Sequence, residues 1–228
     1  MDLPAQLQSD RRKIIMANFG ELVLVLGDLH IPERAHAIPE SFKRMLVPNK
    51  MKHILCTGNI SREQYNDLCQ LAPSVHVVRG DFDNDESLQF PESSILQVGQ
   101  FRIGLIHGHQ LLPYGSQDAK ARLRRTMNVD ILVSGHTHQN EVVLDDGHYF
   151  INPGSITGAY SSLTLDPVPS FILLAIQDTK LVCYVYELGS GGEVEVSKTE
   201  FTKAASLRDD GTAPSSNNQS SLMQSLLA

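Results

Sequence analysis

Leu22 to Leu26 is an unbroken run of five apolar residues, too short for a helix, and this predicts a strand buried on both faces. His53 to Cys56, Val75 to Val78, Ile95 to Val98, Phe101 to His107 and Ile131 to Val133 read the same way, with Gly99-Gln100 dividing two of them. Helical patterns fall between these runs. One spans Pro39 to Leu46, opened by a proline and followed by Pro48. A second starts at Ser61, where Gln64 three residues later completes a capping box, and carries Tyr65, Leu68, Cys69 and Leu71. The third is the polar stretch Ser116 to Met127. Beyond it the chain changes character: Asp145-Asp146-Gly147 joins Val142 to Leu144 with Tyr149 to Ile151 as a hairpin would. Phe171 to Ile176, Leu181 to Leu188 and Val194 to Thr199 follow as a meander broken at Asp178 and at Gly189 to Gly192. Strands alternating with helices, then strands alone, predict an α/β (layered α+β) class in which two β-sheets stack face to face and helices cover the outer surfaces. Residues 1–20 lack periodicity and are predicted to form a flexible leader. Residues 203–228, rich in Ser, Asn and Gln, are predicted not to pack, which leaves one domain over 21–202.

Composition removes several alternatives. A chain of 228 residues with 41% hydrophobic content buries a core without a disulfide staple. Cys56, Cys69 and Cys183 form no C-x-x-C pair, and a reducing compartment is the simple reading. Arg11, Arg12 and Lys13 superficially suggest a secretory signal, but Asn18 and Glu21 interrupt the segment before a continuous apolar stretch forms. No apolar run approaches the roughly 20 residues that a membrane helix needs. A net charge of -7 argues against a nucleic-acid surface, which requires clustered cations against phosphate. Arg122, Arg124 and Arg125 make the one dense basic patch of this core region, read as a solvated helix face.

The chemistry sits at the strand ends. Buried strands in layered folds present polar residues from the loops at their carboxyl ends, and Asp28, His30, Asn59, Asp81, His107, His136 and His138 all occupy such places. Carboxylate and imidazole donors together suit zinc, manganese or iron, whereas a pure oxygen cage suits calcium or magnesium. Seven donors exceed what one tetrahedral ion takes and match two metals roughly 3.5 to 4 Å apart. Each piece alone is weak, since a single D-x-H after an apolar run occurs by chance. Gly135-His136-Thr137-His138 is stronger, because the glycine frees the backbone to turn two imidazoles from one short loop. His36, His53, His76 and His148 read as ordinary surface histidines, and His109 is left unassigned between that class and a residue that orients ligands.

The ordered series G-D-L-H-I-P, H-I-L-C-T-G-N, V-R-G-D-F-D, G-L-I-H-G-H-Q, S-G-H-T-H, I-N-P-G-S and T-G-A-Y resembles the calcineurin-like metallophosphoesterases over roughly Leu22 to Thr199. It is closer still to one branch, the phosphoesterase-fold subunits of the retromer complex. The resemblance implies a double β-sheet flanked by helices and a site for up to two divalent ions, zinc or manganese. It also implies departures from active enzymes. Asn59 stands where those enzymes have a metal-bridging aspartate, and Asp81-Phe82 stands where they have an asparagine followed by the catalytic histidine. A neutral amide compensates two dications poorly, so metal binding is expected to be weakened but kept. Phe82 has no proton to give, so no catalytic residue is assigned.

What the resemblance then implies is a non-catalytic scaffold in the cytoplasm, peripheral on endosomes, that reaches the membrane only through its complex. Its implied partners are the helical-solenoid subunit of retromer (vacuolar protein sorting protein 35 family) and regulators of endosomal GTPases. Leu111, Leu112, Pro113 and Tyr114 follow the H-G-H-Q segment and are expected to dock the solenoid or, in the bland alternative, to cover the site as core. Leu173, Tyr184 and Tyr186, with Leu22 and Val196 as neighbours, correspond to a pocket for short peptides or, equally, to ordinary strand core. Two rival readings stay open at this level: an active phosphoesterase, and metal occupancy that gates partner binding.

Overall fold

The computed structural model describes residues 20–85 and 87–203. The leader expected at 1–20 and the tail expected at 203–228 lie outside them, apart from Gly20 and Lys203.

Among the described residues, eleven strands and three helices follow in the order β1 (Glu21–Leu26), α1 (Glu40–Lys43), β2 (His53–Cys56), α2 (Arg62–Leu71), β3 (Ser74–Val77), β4 (Ser93–Val98), β5 (Phe101–Ile106), α3 (Gln117–Met127), β6 (Ile131–Val133), β7 (Asn140–Asp145), β8 (His148–Pro153), β9 (Ser170–Gln177), β10 (Lys180–Leu188) and β11 (Val194–Thr202). They form a six-stranded sheet in the order β11-β10-β9-β1-β2-β3 and a five-stranded sheet in the order β4-β5-β6-β8-β7. Parallel pairing is confined to β1-β2-β3 and β5-β6-β8. The carboxyl ends of these strands supply the loops that carry the chemistry.

Period-two burial sets the layers. Val23, Val25 and Leu55 from one sheet meet Ile103, Leu105, Ile131, Val133 and Ile151 from the other in the central core. The alternate residues Leu24, Leu26, Ile54 and Cys56 face outward against Phe42 of α1 and Leu68 of α2. Because both faces are covered, β1 and β2 read as unbroken apolar runs rather than alternating ones. On the far side of the five-stranded sheet, Ile106, Leu132 and Phe150 pack against Ala119, Leu123 and Met127 of α3.

Local chemistry explains the boundaries. The capping box at α2 is present: Ser61 Oγ accepts from the Gln64 N–H and Gln64 Oε1 accepts from the Ser61 N–H at 2.8 Å. The β7–β8 turn places Asp146 and Gly147 both at positive φ, as a two-residue hairpin turn requires. The helix expected over Pro39 to Leu46 is shorter than its pattern suggests, at four residues. Phe42 is its one buried anchor, edge-on to Phe171 with ring centroids 4.9 Å apart, while Met45 and Val47 stay exposed. One buried side chain, with Leu46 packed against the core only in part, does not hold two turns of helix against the cost of ordering them.

Candidate metal centre

Asp28 and His30 follow β1, Asn59 follows β2, Asp81 follows β3, His107 directly follows β5, and His136 and His138 follow β6. The structure gathers all seven into one cluster, of which His30, Asn59, Asp81, His136 and His138 line a cavity. Five of them, Asp28, His30, Asn59, His136 and His138, hold positive φ values between 45 and 70°. Such backbone costs on the order of 1–3 kcal/mol per residue and persists where the surroundings over-determine it. Here they do. The Asp28 and His30 amides donate to the Gly58 and Asn59 carbonyls at 3.0 and 3.1 Å, and Asp28 Oδ2 accepts from the His136 N–H at 2.9 Å. Gly135 is forced by crowding, since a Cβ there would lie 2.5 Å from Thr57 Oγ1 and 2.6 Å from Asp28 Oδ2.

The donors form two triads. In Asp28, His30 and His138, and again in Asp81, His107 and His136, one ligand atom per residue lies within 4.8 Å of the other two. The first triad is fully buried, and the second opens to solvent through Asp81. His107 Nδ1 donates to the Thr57 carbonyl at 2.7 Å and His138 Nδ1 donates to the Ala159 carbonyl. Those bonds occupy Nδ1 of both rings and aim Nε2 inward, where a neutral ring offers its lone pair to a cation and a protonated His107 donates to Asp81. His107 Nε2 then faces Asp81 Oδ1 at 2.9 Å, and His138 Nε2 faces His30 Nε2 at 3.2 Å. Converging lone pairs of this kind fit divalent cations, and the mixed nitrogen and oxygen donors fit zinc or manganese.

Asn59 lies between the triads. Its Oδ1 accepts from the Phe82 N–H at 3.0 Å, so its Nδ2 faces Asp28, His30, Asp81 and His107 at 3.1 to 3.3 Å. To offer oxygen to an ion, the amide must turn over and give up the Phe82 bond.

Electrostatics follow from this crowding. Burial opposes ionisation of Asp81, yet hydrogen bonds with His107, His136 and Asn59 hold its carboxyl well below the usual range. Burial also works against the His107 cation, but Asp81, Asp28 and the Thr57 carbonyl raise its pKa above the ordinary value. His30 is pushed down to about 3, first by burial and then by His138 and Arg34. An unfolded-chain histidine titrates near 6.5. The depressed value therefore contributes stability that is fully present above about pH 6.5 and is lost as pH falls toward 3. Metal-free protein is expected to show a thermal midpoint that drops progressively between pH 7 and pH 5, and a His30→Asn variant is expected to show a shallower drop.

Phe82 stands on the rim of the same cavity, about 420 Å³ in volume, which is also lined by Arg34, Tyr114, Tyr160 and Leu165. Its ring is half exposed and meets His30 edge-on at 5.3 Å. His109 lies beside the second triad, its ring 5.3 Å from His107 and 6.3 Å from His136. The four remaining histidines lie elsewhere: His36 is exposed, His53 pairs with Glu21 at 3.4 Å, His76 bonds Ser74, and His148 bonds the Asp146 carbonyl in its hairpin.

Several supporting residues escaped the sequence reading. Asp83 accepts from the backbone N–H groups of Asn59, Ile60 and Gly80, tying the second loop to the third. Asn152 Nδ2 donates to the Gly135 carbonyl and Thr137 Oγ1, and Ser155 and Thr157 donate to the Asp28 and Leu29 carbonyls. The second aspartate of G-D-F-D and the polar positions of I-N-P-G-S and T-G-A-Y were their only trace.

The two apolar clusters divide unevenly. Leu112 is 66% exposed and Tyr114 45%, with Pro113 also exposed between them. Leu111 corrects the expectation for that loop: it is buried with Ile106, Leu132 and Phe150 and anchors the loop instead of facing out. Tyr114 lies against His136 with ring centroids 4.8 Å apart, so this surface borders the metal cavity. On the six-stranded sheet, Leu173 pairs with Tyr184, and Phe171 with Tyr186, whose ring stacks on Phe171 at 4.6 Å. Leu22, Leu173, Tyr184 and Tyr186 are partly buried, and Val196 is 51% exposed opposite Tyr186. This half of the sheet's outer face thus keeps accessible apolar surface.

A model of the calcineurin-like phosphoesterase superfamily domain matches residues 22–179. The chain is 39% identical over 187 residues to vacuolar protein sorting-associated protein 29 of Schizosaccharomyces pombe, covering 80% of this chain and 98% of that protein. Its structure is similar to that of wild-type Vps29 of Entamoeba histolytica complexed with zinc, with a TM-score of 0.75, 47% identity, and coverage of 79% of this chain and 99% of the other. It is also similar to Vps29 of Chaetomium thermophilum complexed with a cyclic peptide, with a TM-score of 0.70, 35% identity, and coverage of 81% and 98%.

Proposed function

Since this chain belongs to the calcineurin-like phosphoesterase superfamily and, within it, to the family of vacuolar protein sorting-associated protein 29, we propose that it is a non-catalytic scaffold subunit of retromer. It acts in the cytoplasm on endosome surfaces, in transport from endosomes to the Golgi and plasma membrane. Contact with the membrane runs through the complex, and no helix among the described residues is long and apolar enough to cross a bilayer.

The observation that carries this reading is the pairing of a donor-rich cavity with Phe82 at its rim. Asp28, His30 and His138 would hold one ion, Asp81, His107 and His136 a second, with Asn59 between them. Zinc in a relative's structure supports zinc as one occupant. Bound ions polarise a phosphoryl group and lower the pKa of coordinated water. This chain supplies no proton to a leaving group at Phe82, and a general acid contributes typically about 10²- to 10⁴-fold to rate. Replacing Phe82 by histidine is expected to raise hydrolysis of bis-nitrophenyl phosphate by manganese-loaded protein about 10²-fold. An unchanged rate would show that the missing acid is not what limits turnover.

With chemistry removed, the exposed surface does the work. Leu112, Pro113 and Tyr114 are proposed to seat the helical-solenoid subunit against the metal-side face, where the loop is fixed by buried Leu111. Leu173, Tyr184 and Tyr186 are proposed to take short peptides from regulators of endosomal GTPases, and a peptide complex of a relative supports peptide binding by the family. Capture of the solenoid subunit from extract is the test. It should be lost with Leu112→Asp and kept with Asp28→Ala, and loss with both would tie docking to the metals.

A further inference from the structure

Arg34 occupies a place that neither metal binding nor apolar docking explains. Its guanidinium carbon lies 4.1 Å from the Phe82 ring centroid and 5.3 Å from that of Tyr160, and Nη1 donates to the Tyr160 carbonyl at 3.0 Å. Together these contacts fix the plane of the group at the wall of the metal cavity. Among the described residues no carboxylate pairs with it. One donor is used by the carbonyl, so most of the five-donor fork is left for a ligand.

A fixed, unpaired guanidinium beside a cavity lined with metal donors selects an anion. The surroundings narrow the class. Phe82, Tyr114, Tyr160 and Leu165 lie around the opening, with Leu112 on the adjoining loop, so the rim is apolar and exposed. A small polyanion would sit deeper, against Asn59, His136, His138 and Ser161, and would leave this rim uncovered. An acidic side chain carried on a protein, with apolar neighbours to either side, fits both the fork and the rim.

We propose that Arg34, stacked on Phe82, clamps an aspartate or glutamate of the docking partner at the mouth of the metal cavity. This rests on the docking reading above. It also accounts for the aromatic ring at position 82, since a residue that cannot donate a proton serves here as the platform for a cation.

Two measurements test it. Affinity for the purified solenoid subunit is expected to fall about 10- to 100-fold with Arg34→Gln, since a charge-assisted fork is lost. It should fall less with Arg34→Lys, which keeps the charge without the planar fork, and several-fold with Phe82→Leu, which removes the aromatic face. Thermal midpoints of the three variants establish that each is folded. Separately, in zinc-loaded wild-type protein, the Arg34 Nε–H resonance is expected to shift saturably with N-acetylglutamate methylamide and not with the glutamine analogue. Wild-type affinity in Arg34→Gln together with an unmoved resonance overturns the clamp. If Leu112→Asp abolishes solenoid binding in the same series, docking survives that result; if wild-type protein never binds the solenoid, docking fails and the resonance alone decides the clamp.

Discussion

Replacing Asp28 by alanine is expected to weaken zinc binding by at least about 10²-fold while leaving a folded protein. Asp28 is fully buried and serves both halves of the centre: Oδ1 lies 3.8 Å from His138 Nε2 and 3.7 Å from His107 Nδ1, and Oδ2 accepts from the His136 N–H. Its loss removes one of three donors from the first triad and also releases the backbone of the loop that carries His136 and His138. Even groups that only orient metal ligands typically change affinity about 10- to 100-fold, and Asp28 both orients and donates. Isothermal titration with zinc measures the change, and far-ultraviolet circular dichroism establishes that the fold is kept. Zinc affinity within a few-fold of wild type would remove Asp28 from the donor set.

Replacing Leu112 by aspartate is expected to weaken solenoid binding about 30- to 1,000-fold. The side chain is two-thirds exposed, so its substitution touches little of the core, and the neighbouring Leu111 still anchors the loop. An apolar residue at the centre of an interface typically carries 2 to 4 kcal/mol or more when it is a hot spot, and each 1.4 kcal/mol is roughly tenfold. Aspartate adds the cost of burying an unpaired charge. Leu111→Asp makes an informative contrast, because it introduces that charge into the core and should lower the thermal midpoint instead. Full-strength binding by a well-folded Leu112→Asp protein would move the docking face elsewhere.

Much of this architecture was legible because burial on both faces leaves unbroken apolar runs: the central strands β1, β2, β5 and β6 were all placed within one or two residues. The Ser61–Gln64 box and the Asp146-Gly147 turn carried local rules strong enough to survive tertiary context. The helix at Pro39 is shorter than its pattern because apolar spacing does not reveal which residues reach the core: Phe42 is buried there and Leu46 only partly so. Leu111 could not be told apart from Leu112 for the same reason, and it takes the core alternative. In an irregular loop no periodicity separates the anchor from the exposed residue beside it. The triads were readable as donors at strand ends, but their grouping was not, since it depends on left-handed backbone at five of the seven positions. Arg34 left no signal at all, because its role comes from Phe82 and Tyr160, residues 48 and 126 positions away in the chain.

The central proposal is that this cavity collects metal donors but presents Phe82 where a general acid would act, so that surface contacts replace chemistry. Steady-state hydrolysis of bis-nitrophenyl phosphate by purified wild-type protein with excess manganese or zinc tests it most directly. The expected result is no turnover above that of the metal ions in buffer. Turnover of roughly 1 s⁻¹ or faster, in the ordinary range for enzymes, and abolished by Asp28→Ala, would contradict it.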